Sequence, residues 1–181
     1  MKNASLYACL IAGALLTLAG CATAPDTEAK KTELHTNVVN TMTRIKALDP
    51  SLENQITNAY GYAIFPSVAK GGAVVGGAYG RGEVYEQGKM VGWADLSQAT
   101  IGAQLGGQTF SELILFENKA ALDNFRNGKL KFAANASAVA MKSGAADTAK
   151  YNDGVLVFVE PKAGLMVEAA LGGQSFSFQP V

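Results

Sequence analysis

The chain has very few of the residues that bind transition metals or form covalent catalytic intermediates. It contains one histidine, His35, and two cysteines, Cys9 and Cys21. Zinc and copper sites of the usual types need several such ligands, so we expect no metal and no cofactor. A histidine-assisted nucleophile would have to use His35 alone, and the pattern favours a surface histidine. The carboxylates show no spacing that pairs two of them, so a hydrolase is the weakest hypothesis and we expect no enzyme.

An excess of charge of one sign is also absent. The chain has 15 basic and 15 acidic residues and no net charge, which argues against nucleic acid as a partner. Nucleotide-binding glycine loops need a helix directly after the glycines, and the Walker type also needs a Gly-Lys-Ser/Thr sequence. Here a strand is predicted after the glycines and no Gly-Lys-Ser/Thr occurs. The sequence therefore excludes the common nucleotide-binding loops.

The apolar run near the amino terminus, residues 6–18, is too short to cross a bilayer as a helix. It follows a short positive segment and ends in Leu18-Ala19-Gly20-Cys21, which predicts a cleaved signal peptide over residues 1–20. These four residues resemble the bacterial lipobox, in which the cysteine is lipidated with palmitate-type chains and becomes the first mature residue. Cys9 would be removed with the signal peptide, so no disulfide is expected. A plain secretory peptide with an incidental cysteine is the alternative.

Residues 21–32 are rich in Ala, Thr, Asp, Glu and Lys, and we predict a flexible tether there, starting at lipidated Cys21. Because acyl chains hold a protein at a bilayer, this arrangement predicts a membrane-anchored domain in the cell envelope. Ala22 follows the cysteine where an aspartate would be the inner-membrane signal. By resemblance to Gram-negative lipoproteins, this indicates the outer membrane, with the domain facing the periplasm.

Glycine pairs interrupt the β-branched segments of the remaining chain, which forms one predicted domain over residues 33–181. The segments Gln104–Ser111 and Ala170–Ser177 are identical at six of eight positions, and Val75–Tyr79 is a fainter copy. Glycine inside a strand usually marks a bulge, a bend or a close approach of another backbone. We therefore predict an α+β fold with a mainly antiparallel, strongly bent, barrel-like sheet, two N-terminal helices and one inserted helix.

The boundaries of these elements come from periodicity and capping signals. Apolar residues from Leu34 to about Leu48 recur at helical spacing, and Asp49-Pro50 is expected to start a second helix. Asn118 is expected to cap the inserted helix, which stops at Gly128. Strands are predicted from residue 62 onwards, the first ending at Pro66, with a hairpin turn at residues 87–89. The alanine-rich stretch 131–141 fits helix or strand, and strand is preferred because Phe132, Ala134, Ala136, Ala138 and Ala140 alternate.

Several basic residues lie near predicted turns, where they could contact lipid phosphates beside exposed glycine backbone. The alternative for each is a solvated rim balanced by neighbouring acids. Together with the tryptophan of the Gly92-Trp93 pair, the candidate lipid-binding residues are Lys70, Arg81, Lys89, Lys129, Lys131 and Trp93.

An ordered series of motifs extends from Tyr60 to Phe178. Its segments are residues 61–66, 70–72, 76–85, 92–95, 101–108, 112–116, Phe125 before 128–130, and Tyr151 before Gly154. This series resembles the SYLF domain, a lipid-binding module of bacterial lipoproteins and of eukaryotic proteins linked to endocytosis and actin. After Trp93 the family tends to have Ser and then Pro, whereas this chain has Ala94-Asp95-Leu96.

The resemblance implies binding of membrane lipids without catalysis, phosphoinositides being the ligands in eukaryotes. Membrane phospholipids, bound by headgroup or acyl chain, are therefore the expected partners. A structural lipoprotein that binds envelope proteins and no small ligand is the alternative function.

Overall fold

One strongly bent sheet with helices on both faces forms the protein, which confirms the predicted α+β class. The computed structural model describes residues 23–130 and 138–181. The helices are α1 (Glu28–Leu48), α2 (Leu52–Asn58), α3 (Lys119–Arg126) and α4 (Ala145–Thr148). The strands are β1 (Gly61–Gly72), β2 (Val75–Glu86), β3 (Lys89–Phe116), β4 (Ala138–Ala140) and β5 (Val155–Pro180).

Strands β3 and β5 are long enough to enter the sheet twice. The first half of β3 pairs with β2 and its second half pairs with β1, while β5 follows β3 along its other edge throughout. The order across the sheet is therefore the end of β5, the start of β3, β2, β1, the end of β3, the start of β5, and β4, which is parallel to β5. Within the described residues this sheet stays open, so the barrel-like prediction is wrong in its closure.

The change of direction in β3 lies where the strand passes the tip of the β1–β2 hairpin, between Ile101 and Gly106. Gly102 has a φ of 148° and Gly106 a φ of 118°, values that side-chain-bearing residues rarely adopt. Glycine at these two positions therefore lets one strand serve two neighbours. Bending at the glycine pairs is predicted from the sequence, and the hydrogen-bonded ladder between β3 and β5 continues through the bend.

Apolar residues are buried on both faces of the sheet. On one face α3 inserts Leu122 and Phe125, and the Phe125 ring lies 5.0 Å from Phe116 and 4.9 Å from Phe176 between centroids. On the other face α1, α2 and α4 cover a second cluster that includes Phe158. As predicted, Asn118 caps α3, since its Oδ1 accepts a hydrogen bond from Ala121 N at 3.0 Å.

The amino-terminal segment differs from the predicted tether. Helix α1 begins at Glu28, four residues before the expected tether end at residue 32, because Thr27 caps it through Lys30 N. Thr23 and Ala24 are buried: the Thr23 hydroxyl lies 3.0 Å from the Ser177 hydroxyl, and Ala24 N donates to Gln179 Oε1. Residues 23–32 are therefore held by β5 or by helical hydrogen bonds.

Other boundaries also differ from the predictions. Strand β1 continues past Pro66 with a register shift, which accommodates a residue that lacks a backbone donor. Ser51, not Asp49, is the residue before α2, and Asp49 ends α1. Of the alanine-rich stretch, Ala138–Ala140 is a strand as preferred, whereas Phe132, Ala134 and Ala136 lie outside the described residues. Among residues 23–130 and 138–181, no helix is long and apolar enough to cross a bilayer.

Candidate functional site

The predicted lipid-binding cations do not form one patch. Lys89 lies exposed at the β2–β3 turn, at the opposite end of β2 from the glycine-rich tip, and Lys129 is exposed after α3. Arg81 Nε donates to Asp95 Oδ1 at 2.8 Å and its Nη2 contacts the Tyr79 hydroxyl, so its charge is largely neutralised. Lys131 and the predicted lipidation site Cys21 lie outside the described residues.

Trp93 lies beside α1, on the same face of the sheet as Arg81, whose partner Asp95 is two residues further along β3. Its ring is half-buried beside α1, with Lys31 Nζ 5.0 Å from the ring centroid, a distance suited to a cation–π contact. Glu28, His35, Glu83 and Met90 line the same shallow groove. The tryptophan therefore contacts the first helix rather than joining a cationic lipid site.

His35 forms a hydrogen-bonded group with two residues of β2. Its Nδ1 lies 3.1 Å from Glu83 Oε2, which also accepts a hydrogen bond from the Tyr85 hydroxyl at 2.6 Å. Glu83 is buried whereas His35 is largely exposed. These contacts attach α1 to β2, consistent with the surface histidine favoured by the sequence.

The tip of the bent sheet exposes large apolar side chains. Val74 and Val75 lie at the β1–β2 turn, Ile101 pairs with Val75 in the ladder, and Leu105 follows in the bend of β3. These side chains are about 70% exposed: 71%, 68%, 70% and 72% in that order. Residues 71–77 and 101–107 contain no charged residue. We call Val74, Val75, Ile101 and Leu105 the apolar tip, a surface suited to contact with a nonpolar environment.

A cavity of about 310 Å³ lies against the sheet, with Lys70 and Gln98 in its wall a few residues along their strands from this tip. Lys70, the remaining predicted cation, lies in its wall and is 6% exposed. The polar lining residues come from three strands: Lys70 from β1, Gln98, Gln108 and Glu112 from β3, and Gln174 from β5. The cavity therefore gathers one cation, one carboxyl group and three amides that are far apart in the sequence.

The carboxyl group of Glu112 is the most deeply buried charge-bearing group of this cavity. Its Oε2 accepts a hydrogen bond from Gln174 Nε2 at 2.9 Å, and both residues are 1% exposed. Burial raises the pKa of Glu112 to about 7, while the Gln174 hydrogen bond opposes the rise. The group thus changes protonation near neutral pH.

The repeated segments of the sequence explain part of this arrangement. Gln108 and Gln174 occupy matching positions in the two copies, and both face the cavity. Phe110 and Phe176 also match, the first lining the cavity and the second packing in the adjacent core. The repeat therefore supplies an amide and an aromatic ring twice to the same face of the sheet. Sequence reasoning missed Gln98, and it placed Glu112 in a segment that resembles the family without assigning the residue a role.

Comparison with known proteins shows a distant similarity to a curated protein. No family model matches the chain. It is similar to a protein of Aeromonas veronii named Beta cell expansion factor A, with 31% identity over 129 residues. The alignment covers 70% of this chain and 49% of the relative, so the chain spans about half the length of that curated relative. The similarity gives limited support to the family resemblance inferred from the glycine-rich motifs.

Proposed function

We propose that this protein is a lipid-anchored module of the bacterial envelope whose SYLF-like domain binds membrane phospholipid without catalysis. The anchor is a lipidated Cys21, and the location is the periplasmic face of the outer membrane. The observation that carries the lipid-binding part is the apolar tip, with four large side chains about 70% exposed in two uncharged segments. The resemblance to SYLF domains and the similarity to the Aeromonas veronii protein are consistent with it.

The energetics of the tip fit weak, reversible insertion. Burying one Val, Leu or Ile side chain contributes about 1.5 to 3 kcal/mol, so moving these four, each about 70% exposed, from water into lipid contributes about 4 to 8 kcal/mol. That range corresponds to dissociation constants from about millimolar to about micromolar for the tip alone. A covalent anchor would raise the local concentration of lipid and make such a weak contact effective.

Vesicle flotation of a Cys21→Ala protein tests the lipid contact apart from the anchor. With vesicles of phosphatidylethanolamine and phosphatidylglycerol, we expect this protein to float and the added pair Val75→Ser and Ile101→Ser to lower binding at least about tenfold. The matched control is the pair Val39→Ser and Val181→Ser, whose side chains are also exposed but lie away from the tip. Absence of flotation with any vesicle, or equal binding by both pairs, contradicts the proposal. A specific envelope protein recovered without lipid binding would favour the alternative, a protein-interaction lipoprotein.

A further inference from the structure

The cavity behind the apolar tip contains buried polar atoms that the described residues leave without a hydrogen-bond partner. These atoms are Gln98 Nε2, Glu112 Oε1 and Gln174 Oε1. Their residues are 6%, 1% and 1% exposed, and all three line the cavity. Buried polar groups in folded proteins nearly always have a partner, which can be a ligand or ordered water. Three such atoms around one cavity indicate that the site is built to hold a polar molecule.

The position of these atoms is fixed by strand register rather than by flexible loops. Gln98 and Gln174 lie directly opposite each other on β3 and β5, and the Gln174 amide also binds Glu112. Because both strands are hydrogen-bonded over their full length beside this cavity, the three polar side chains are held before any ligand arrives. A preorganised site of this kind loses little conformational freedom on binding.

The polar groups define the chemistry of the missing partner. One is an amide donor and two are acceptors, so they suit groups that both accept and donate a hydrogen bond, as hydroxyl groups do. The other wall is apolar and includes Phe110, Val159 and Pro161, which can pack against C–H groups. Lys70 is the one cation among the described lining residues, and it shares the cavity with the Glu112 carboxyl. That balance disfavours a phosphate and favours a neutral ligand.

We propose that this cavity binds a polyhydroxyl group, either of a free sugar or polyol or of a lipid headgroup. A volume of about 310 Å³ is at the lower end of the range for small-molecule sites, which fits a group the size of glycerol, inositol or a hexose. Gln98 lies three residues before Ile101 on β3, so the cavity is about 10 Å from the tip. With the tip in the hydrocarbon layer, a cavity at that distance lies within reach of the headgroup layer. Only the headgroup source depends on the proposed membrane contact.

Saturation-transfer NMR with glycerol, myo-inositol and glucose tests the free-ligand form of this proposal on the Cys21→Ala protein. We expect signal transfer to at least one of these probes, with at least about tenfold weaker binding after Ala138→Leu, which fills the cavity. Ala47→Leu, at an exposed position of α1, is the matched control and leaves binding unchanged. Gln98→Leu is a second cavity variant, and it removes a donor without adding volume, so its loss of binding does not depend on how Ala138→Leu folds.

Vesicles distinguish the lipid source. Phosphatidylglycerol and phosphatidylserine carry the same charge, but the headgroup of the first is a polyol. A preference for phosphatidylglycerol that disappears in Ala138→Leu assigns the cavity to a headgroup, whereas free-probe binding without that preference assigns it to a soluble polyol. Vesicle binding that is absent in the Cys21→Ala protein, or unchanged in the tip variants, together with retained probe binding contradicts the membrane contact alone. The cavity proposal is overturned if no probe binds and no polyol lipid is preferred, as when water alone fills the cavity, or if both cavity variants bind as tightly as the parent protein.

Discussion

Glu112 connects the stability of the protein to pH at the level of a single side chain. Its pKa is about 7 in the folded protein and about 4.5 in an unfolded chain. Below about pH 4.5 the Glu112 carboxyl is protonated in both the folded and the unfolded protein, so its burial costs little free energy. As pH rises through this window, the unfolded chain releases its proton first, so folding becomes less favourable. Above about pH 7 the loss of folding stability is complete and amounts to about 3 kcal/mol.

Replacing Glu112 by Gln is expected to remove this pH dependence while keeping the shape of the side chain. The free energy of unfolding of the variant minus that of the wild type should increase by about 3 kcal/mol when the pH is raised from about 4 to about 8. Urea unfolding at both pH values measures this difference, and Glu117→Gln, at an exposed carboxylate, is the control. Identical pH dependence of the wild type and of Glu112→Gln would contradict the burial argument.

The sequence predicted some residues of the cavity and not others, for a physical reason. Gln108 and Gln174 belong to a repeated segment, and Lys70 is one of the candidate lipid-binding cations, with a solvated rim as the alternative, whereas it lies in the wall of the cavity. Glu112 and Gln98 had no such signal, because their partners lie on other strands. A side chain's neighbours in a sheet depend on strand register, and the continuation of β3 through its glycine bend set a register that local patterns did not contain.

The connection between α1 and α2 illustrates how one residue joins distant elements. Asp49 ends α1, is fully buried, and accepts hydrogen bonds from Ser51, from Gly144 N at 3.1 Å and from Ala146 N at 2.8 Å. Burial alone would raise the pKa of Asp49, but these hydrogen bonds outweigh burial and leave the pKa below its usual value. The Asp49-Pro50 signal located this boundary correctly, yet the contact with the segment before α4, almost a hundred residues later, has no local trace.

Asp49→Ala is expected to remove the acceptor of the Gly144 and Ala146 backbone N–H groups, of which that of Ala146 is buried. We expect a loss of about 2 to 4 kcal/mol in the free energy of unfolding, together with faster amide hydrogen exchange at residues 144–148. The control Asp147→Ala changes an exposed carboxylate on α4 itself and should lower stability by less than about 0.5 kcal/mol. Equal losses for the two variants would show that Asp49 does not hold this segment.

The whole chain combines a predicted lipid anchor with a domain whose class could be derived from its pattern. Helical periodicity, capping residues and β-branched runs gave the α+β class and the order of most elements, because these signals are local. Closure of the sheet and the length of the tether were predicted less well. The first depends on how the strand edges meet, and the second on contacts with β5 at the far end of the chain.

The anchor predicts a labelling pattern for the whole molecule. In bacteria supplied with an alkyne-bearing palmitate, the wild-type chain should incorporate the label and Cys21→Ala should lose it, because Cys21 is the expected acylation site. Cys9→Ala should retain the label, because Cys9 would be removed with the signal peptide. Labelled Cys21→Ala, or an unlabelled wild type, would argue against a lipoprotein.

The attachment of Thr23 to β5 constrains how an anchored domain could meet a bilayer. Cys21 comes two residues before Thr23, so the Cα atoms of Cys21 and Thr23 can be at most about 7 Å apart. Ser177, which holds Thr23, pairs with Asp95, six residues or about 20 Å along β3 from Ile101. An acylated Cys21 and an inserted apolar tip can therefore enter the same leaflet only when the end of β5 runs parallel to the membrane surface. The domain then lies on its side against the membrane. If β5 instead ran perpendicular to the membrane that holds the acyl chains, the tip would point away from that membrane and could contact an opposing one.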